Sequence, residues 1–545
     1  MTNIEAEQLN KINEAASETS ASETTINLSR IALATSAMIA LAVSLFVIFY
    51  KKPVLNFVIL GMGRGNVYPT KGKFEPHKGR TVGGYETIAT MIQKRLETYQ
   101  KKKQPSFTIS LGTELVGSAE ALMTEGEIIV EAFNTLGVEA MLLSNIDFTY
   151  GVSRLKELKR KAKFPFIATN VSDENLTSPP FYSSYAVVKP SGILFPSSSI
   201  KVAFLGITPV DTPNLTPAEN IEGLTFHNPA NILSEAVQKQ RSNGANLVVL
   251  MTQYSREYIT NAEWQAIAKA APDICFMLDH AIEAPRPYMR DGILVSTISA
   301  YNRTYETDFL AVEIEPFTGK ISNVSYERLP NDSAIYEKNP KMTAMLASST
   351  VKIASTRDEI IGYFANSAEK AYKSECPIGN FITDIMRETT STDIAFQNSG
   401  SIRSSVNAGA FTYGDLCLLL PFDNNIVEME LTGEQIMTLL RKSLHMKRGL
   451  LQVSGLRYKK VPSEKPHNFE IEVTLDNETP FELQTTYKVV TNSFLAGGGD
   501  LFQELAEGKN IKHFGSLREA LKKAIETSSP EAPITLKTEG RIFAE

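Results

Sequence analysis

Short apolar runs alternate with stretches in which apolar residues recur every three or four positions along this 545-residue chain. The runs at 55–60 (LNFVIL), 107–111, 140–143, 164–168, 202–207 and 247–251 predict buried strands. Helical spacing over 85–99, 127–136 and 232–241 separates them. Strand and helix alternating in this way predict an α/β layered domain. Two later runs, 307–315 and 320–327, flank a turn-rich PFTG at 316–319 and predict a closing hairpin, which ends a first domain spanning 53–330. Residues 331–358 read as a linker and a connecting helix. A second domain, 359–545, starts with a helix near 380–386 and continues in mixed strand and loop.

One segment has a different texture. Residues 31–50, IALATSAMIALAVSLFVIFY, run twenty positions without a charge and stop at Lys51 and Lys52. At 1.5 Å per residue such a helix is about 30 Å long, the thickness of a bilayer's hydrocarbon core, so one transmembrane helix is expected. A cleaved signal peptide fits less well, because bulky Phe46, Phe49 and Tyr50 stand where cleavage needs small residues. Residues 1–30 read as a flexible acidic tail. Lys11 and Arg30 precede the span and Lys51, Lys52 and Arg64 follow it, which leans towards a cytoplasmic C-terminal portion.

Composition narrows the function classes. The chain is 43% hydrophobic and 21% charged, ordinary for globular protein, and its length predicts more than one core. A net charge of −6 without basic blocks excludes general nucleic-acid binding, which needs clustered positive charge. Three scattered cysteines, Cys275, Cys376 and Cys417, form no disulfide framework.

A set of motifs then adds a family. RTVGGYETIATMI (80–92), LSNIDFTYG (143–151), FPFIATNV (164–171), KVAFLGIT (201–208) and NGANLVVL (243–250) stand in the first half. CPIGNFITDIM (376–386), NSGSIRSSVNAG (398–409), LPFDNNIVEMELTGEQI (420–436) and TNSFLAGGGDLF (491–502) stand in the second. In order and spacing they resemble the 5′-nucleotidase family, which includes UDP-sugar hydrolases and surface ecto-5′-nucleotidases. The resemblance implies a four-layer αββα metallophosphoesterase-like domain, a hinge helix and a C-terminal α+β substrate-binding domain. It also implies residence outside the cytoplasm, and we expect a single-pass protein with extracytoplasmic C-terminal domains.

Such phosphoesterases hold two divalent metals with carboxylate, imidazole and amide ligands. Carried over position by position, the ligand set is degenerate. GMGRGNVYP (61–69) has neither Asp nor His. The bridging aspartate falls at Thr113; Glu114 is its neighbour, and alternation along a strand end turns it to the other face. Asn145 is kept, the catalytic histidine is Ile146, and the next acid is Asp147. A later histidine is Gln253, and the final histidine motif leaves Asp279 and His280. Paired dications need compensating negative charge, so no metal cofactor is expected. His77, in FEPHKG, reads as an exposed loop histidine rather than a substitute ligand.

The nucleotide-binding positions implied by the resemblance are present. Phe422 and Phe494 match the aromatic pair that sandwiches a base, and stacking contributes about 1–3 kcal/mol per base. Asn424 and Asn398 match polar contacts, Arg403 a phosphate-contacting arginine, and Asp500 a carboxylate for the ribose hydroxyls. Glycines 497–499 allow close backbone approach. A second phosphate-contacting arginine is replaced by Tyr372, beside Lys373. The expectation is a membrane-anchored pseudoenzyme that binds a nucleoside or nucleotide for sensing, scavenging or scaffolding. Two alternatives stay open: a nucleotide hydrolase with a rearranged or single-metal site around Asp147, Asp279 and His280, and an interaction protein with a vestigial pocket.

Overall fold

In the computed structural model the described residues are 7–8, 10–14, 33–41 and 52–543, except 73–74, 174–184, 191–198, 282, 303, 316–318, 423, 447–448, 463–468 and 477–478. Most of the predicted span 31–50 therefore lies outside the described residues. Residues 33–41 are helical, with Leu33, Met38, Ile39 and Leu41 exposed. Among the described residues no helix is long and apolar enough to cross a membrane. The loop at 316–318 is likewise outside them.

The N-terminal half is built on two six-stranded sheets. In the first, Val54–Leu60 pairs in parallel with Ser106–Ser110, followed by Ala140–Leu142 and Phe166–Ile167. On its other side lies the hairpin Glu306–Ile314 and Ile321–Pro330, antiparallel as the sequence predicts. The second sheet centres on parallel Ser199–Ile207, Leu247–Ser255, Ile274–Asp279 and Ile293–Ser299. Strand alternation sends Leu55, Phe57 and Ile59 into a core shared with Val202, Phe204, Val249 and Met251 of the second sheet. The opposite faces pack on helices. Val58 and Leu60 meet Tyr85–Lys101 and Glu127–Leu136, and Leu205 and Val248 meet Pro229–Ser242 and Asn261–Ala270. The layers thus run helix, sheet, sheet, helix, and both faces of each central strand are buried.

The connecting helix is Pro340–Val351. Met342 and Leu346 are buried in the same cluster as Val58 and Phe133, so this helix is part of the N-terminal core rather than a free link. Cys417, from the C-terminal half, is buried there too. The C-terminal half carries a five-stranded sheet ordered Leu451–Ser454, Ile394–Asn398, Thr486–Asn492, Asn425–Thr432 and Lys509–Ser516. Helix Pro377–Thr390 packs on it through Ile378, Ile382 and Met386.

Glu114 lies within the N-terminal core, 1% exposed. It accepts hydrogen bonds from Ser110 Oγ at 3.0 Å and from the Tyr85 hydroxyl at 3.2 Å. Burial pushes its carboxyl up to about 8, with the Asp147 charge adding and the bonds from Ser110, Tyr85 and the Gly63 N–H partly offsetting.

Two outcomes follow from this packing. Phe57 stacks on Phe107 at 5.4 Å and meets Phe276 edge-on at 5.8 Å between the sheets. Truncation by Phe57→Ala should destabilise the protein by about 3–5 kcal/mol in urea titrations. Glu114 is protonated in the native state but ionised in the unfolded chain between its ordinary value, 4.5, and about 8. The native state then binds the extra proton, so its contribution is full below the ordinary value and is lost as pH rises through about 8. The slope from this group is about 1.4 kcal/mol per pH unit within that window, and Glu114→Gln should flatten it in urea midpoints measured across the range.

Candidate functional site

The C-terminal ends of parallel strands are where open α/β sheets gather ligand-binding loops. Here that end holds the residues at or after the ends of Ser106–Ser110, Ala140–Leu142, Leu247–Ser255 and Ile274–Asp279, four of the five places at which the resemblance puts metal ligands, the fifth being 61–69 after Val54–Leu60.

The loop after Ser110 turns sharply. Gly112 (φ 81°) and Thr113 (φ 62°) are both left-handed, an uncommon state for a β-branched residue. That turn aims the backbone N–H groups of Thr113, Glu114 and Leu115 at the Asp147 carboxylate, each at 3.0 Å. Ser144 adds its N–H at 2.9 Å and its hydroxyl at 2.6 Å. Asp147 is fully buried, and both its oxygens are committed to the protein. The Thr113 hydroxyl donates to Gln253 Oε1 at 3.3 Å, and Gln253 Nε2 donates to the Leu111 carbonyl. The Glu114 side chain turns away from this group towards Tyr85, as expected, but the left-handed turn sets its direction rather than strand alternation, since the strand ends at Ser110. Asp279, also fully buried, accepts from Arg256 Nε at 2.6 Å and from the Ala281 N–H at 2.8 Å. His280 is 2.8 Å from Ser255 Oγ through Nδ1.

These side chains do not fit a metal pair. One carboxylate is saturated by five donors, another already faces a guanidinium, and the bridging position is a hydroxyl bonded to an amide. Among the described residues, no three His, Cys, Asp or Glu side chains could hold a metal ion together. A rearranged site on Asp147, Asp279 and His280 would have to break the bonds just described. His77 corrects an expectation: it is 6% exposed rather than a surface residue, with Nε2 2.9 Å from Glu306 Oε1.

Between the two halves lies a cavity of about 810 Å³. Asn398, Arg403, Phe422, Asn424, Phe494 and Asp500 all line it, and so do Asn145 and Ile146 from the opposite half. Thr113, Asp147, Gln253 and His280 are not among the lining residues. Phe422 and Phe494 are half-buried, each with ring surface left for a ligand. Arg403 lies over the Phe422 ring at 5.8 Å and donates to the Gly400 carbonyl at 3.0 Å.

Asn398 donates to Asp500 Oδ2 at 2.8 Å and accepts from Asn492 at 3.1 Å, and Asn492 also donates to Gln397 at 2.9 Å. Sequence reasoning missed Asn492 and Gln397, whose role emerges only when the parallel strands Ile394–Asn398 and Thr486–Asn492 lie side by side. Gly499 allows close approach to Phe494 rather than to a ligand: a Cβ there would stand 2.6 Å from the Phe494 ring. Asp500 itself is left-handed, φ 53°.

Tyr372 and Lys373 also line the cavity. Lys370 donates to the Tyr372 hydroxyl at 3.2 Å and to the Arg403 carbonyl at 3.1 Å. Burial alone would raise the Tyr372 phenol, but Arg403, Lys370 and Arg64 together hold it below its ordinary value. That marks a positive potential at this corner. On the wall from the N-terminal half, Thr149 and Tyr150 belong to the LSNIDFTYG motif, whereas Leu215, Thr216, Pro217, Glu219 and Asn220 had no sequence signal.

Comparison with known proteins gives a consistent assignment. Residues 352–507 match the family described as 5′-nucleotidase, C-terminal domain. Endonuclease YhcR of Bacillus subtilis (strain 168) is 23% identical over 483 residues, covering 85% of this chain but only 38% of that protein. The 5′-nucleotidase of Homo sapiens is 24% identical over 472 residues, covering 78% of this chain and 80% of that one. The crystal structure of a 5′-nucleotidase precursor from Thermus thermophilus has the same fold, with TM-score 0.72, 22% identity, and 90% and 99% of the two chains covered. Residues 352–507 thus match the 5′-nucleotidase C-terminal domain, and over most of its length the chain is similar to 5′-nucleotidases in sequence and shares their fold.

Proposed function

We propose that this protein binds a nucleoside or nucleotide in the cavity between its halves and does not hydrolyse it by the two-metal route. One observation carries the reading: the six residues matched to nucleotide contacts line one cavity, while the metal end is closed by its own hydrogen bonds. A base seated on Phe422 and Phe494 would place its ribose towards Asp500 and Asn398. Sensing, scavenging or scaffolding is the corresponding role. The nucleotide ligand class is taken from the relatives' names; their activities are not carried over.

Attachment to a membrane through 31–50, with the folded halves outside the cytoplasm, is part of the proposal and rests on twenty uncharged residues ending at Lys51 and Lys52. Alkaline carbonate should leave the full chain in the membrane pellet, and protease added to sealed cells or vesicles of known orientation should digest the folded halves from the extracytoplasmic side.

Calorimetry on the full chain tests the binding reading. Adenosine or uridine, or their monophosphates, should bind equally well in EDTA and in manganese. Phe422→Ala and Phe494→Ala should each weaken binding about 5- to 150-fold, the equivalent of 1–3 kcal/mol. Phosphate release should not rise above background with manganese, cobalt or zinc. Metal-dependent turnover abolished by Asn145→Ala or His280→Ala would refute the reading.

A further inference from the structure

The two walls of the cavity differ in chemistry, and the difference selects among nucleotides. Among the described residues the cations that line it, Lys373 and Arg403, belong to the C-terminal half. They flank Tyr372, whose hydroxyl Lys370 holds at 3.2 Å.

The facing wall has turned its polar groups inward. The Thr216 hydroxyl donates to the Asn145 carbonyl at 3.3 Å, and the Asn220 amide to the Thr149 carbonyl at 2.7 Å. The Thr149 hydroxyl donates to the Ile146 carbonyl at 2.6 Å, and the Tyr150 hydroxyl to the Ala121 carbonyl at 3.1 Å. What remains towards the cavity is largely carbon: Ile146, Leu215, Pro217 and the Tyr150 ring, with the Asn145 amide beside them. Among the described residues the charged side chains lining this wall are the carboxylates Glu125, paired with Arg154 at 3.2 Å, and Glu219, while Arg64 of the same half acts on Tyr372 without lining the cavity. A second phosphate would meet carbon and negative charge there.

Cavity size points the same way. At about 810 Å³ it lies in the upper part of the usual range for ligand pockets, roughly 300–1,000 Å³, leaving room beyond a nucleoside and one phosphate. A free phosphate monoester carries nearly two charges at neutral pH and three acceptor oxygens that demand donors. Esterification removes one charge and sets carbon where the inward-turned wall offers carbon.

We propose that the cavity takes a nucleotide ester: a nucleoside 5′-monophosphate whose single remaining charge faces Lys373 and Arg403, and whose neutral, apolar substituent packs against Ile146, Leu215, Pro217 and Tyr150. This inference rests on the nucleotide-binding reading above and adds the charge and substituent of the ligand.

Calorimetry on the full chain in EDTA tests it with adenosine and uridine, their 5′-monophosphates, the O-butyl esters of those monophosphates, and the 5′-diphosphates. The butyl ester of the preferred base should bind about five-fold or more tightly than its parent monophosphate, the return expected from burying one or two methylenes. The diphosphate should be the weaker ligand. Ile146→Ser and Leu215→Ser, checked for native circular dichroism, should each move the ester-to-monophosphate affinity ratio towards one. A monophosphate or diphosphate that binds as tightly as the ester overturns the inference alone, as does a ratio unmoved in both folded variants. Silence with every ligand, free nucleosides included, overturns this inference and the binding reading together.

Discussion

The Asp147 carboxylate is the fixed point of the N-terminal half's ligand-facing end. Four backbone N–H groups and one hydroxyl converge on it from Thr113, Glu114, Leu115 and Ser144. Hydrogen bonds to a charged group contribute about 1.5–3 kcal/mol each, and a buried donor left without its acceptor costs about 1–3 kcal/mol. Thr113, left-handed beside a permissive Gly112, is held against its steric preference by this convergence. Two loops from neighbouring strands are thereby joined through one carboxyl group that belongs to the protein. Around it Thr113, Gln253 and the Leu111 carbonyl form a second closed set, and Arg256 supplies Asp279 with a built-in counter-ion.

Much of the architecture was legible because the central strands are buried on both faces, so LNFVIL and its counterparts stand out as unbroken apolar runs. Errors cluster where that rule weakens. The strand predicted over 164–168 is only Phe166–Ile167, because Phe164 already packs among helix residues. The strand predicted to end at 251 continues to Ser255 through polar positions, where pairing with its neighbour is irregular. His77 looked like a surface residue because its sequence neighbours are polar; its burial comes from a distant strand that brings Glu306 to it.

The candidate site divides in the same way. Its C-terminal wall was readable since each residue sits in a motif with fixed spacing, and folding brings all six to one surface. Its N-terminal wall was not, since residues 215–220 form neither a periodic element nor a motif and acquire meaning only by bonding to the loop at 145–149. Nor could the sequence reveal that Asn492 holds Asn398, or that Gly499 is required by the Phe494 ring rather than by a ligand.

The two halves of the site are also separable in their energetics. Bonds that hold Asp147 run among residues 113–115 and 144, whereas Asp500, Asn398, Asn492 and Gln397 form a network internal to the C-terminal half. These two sets of bonds have no residue in common. Changes at sites without shared partners are close to additive, so replacing metal ligands on one side need not disturb aromatic and polar contacts on the other. The connecting helix adds a third contact: Met342 and Leu346 are buried in the N-terminal core, so the join between the halves is packed. The separation is not complete: the bonds between Ser144 and Asp147 cap the short helix Asn145–Phe148, which carries Asn145 and Ile146 to the cavity wall, so the N-terminal wall of the pocket depends on the carboxylate that closes the loop behind it.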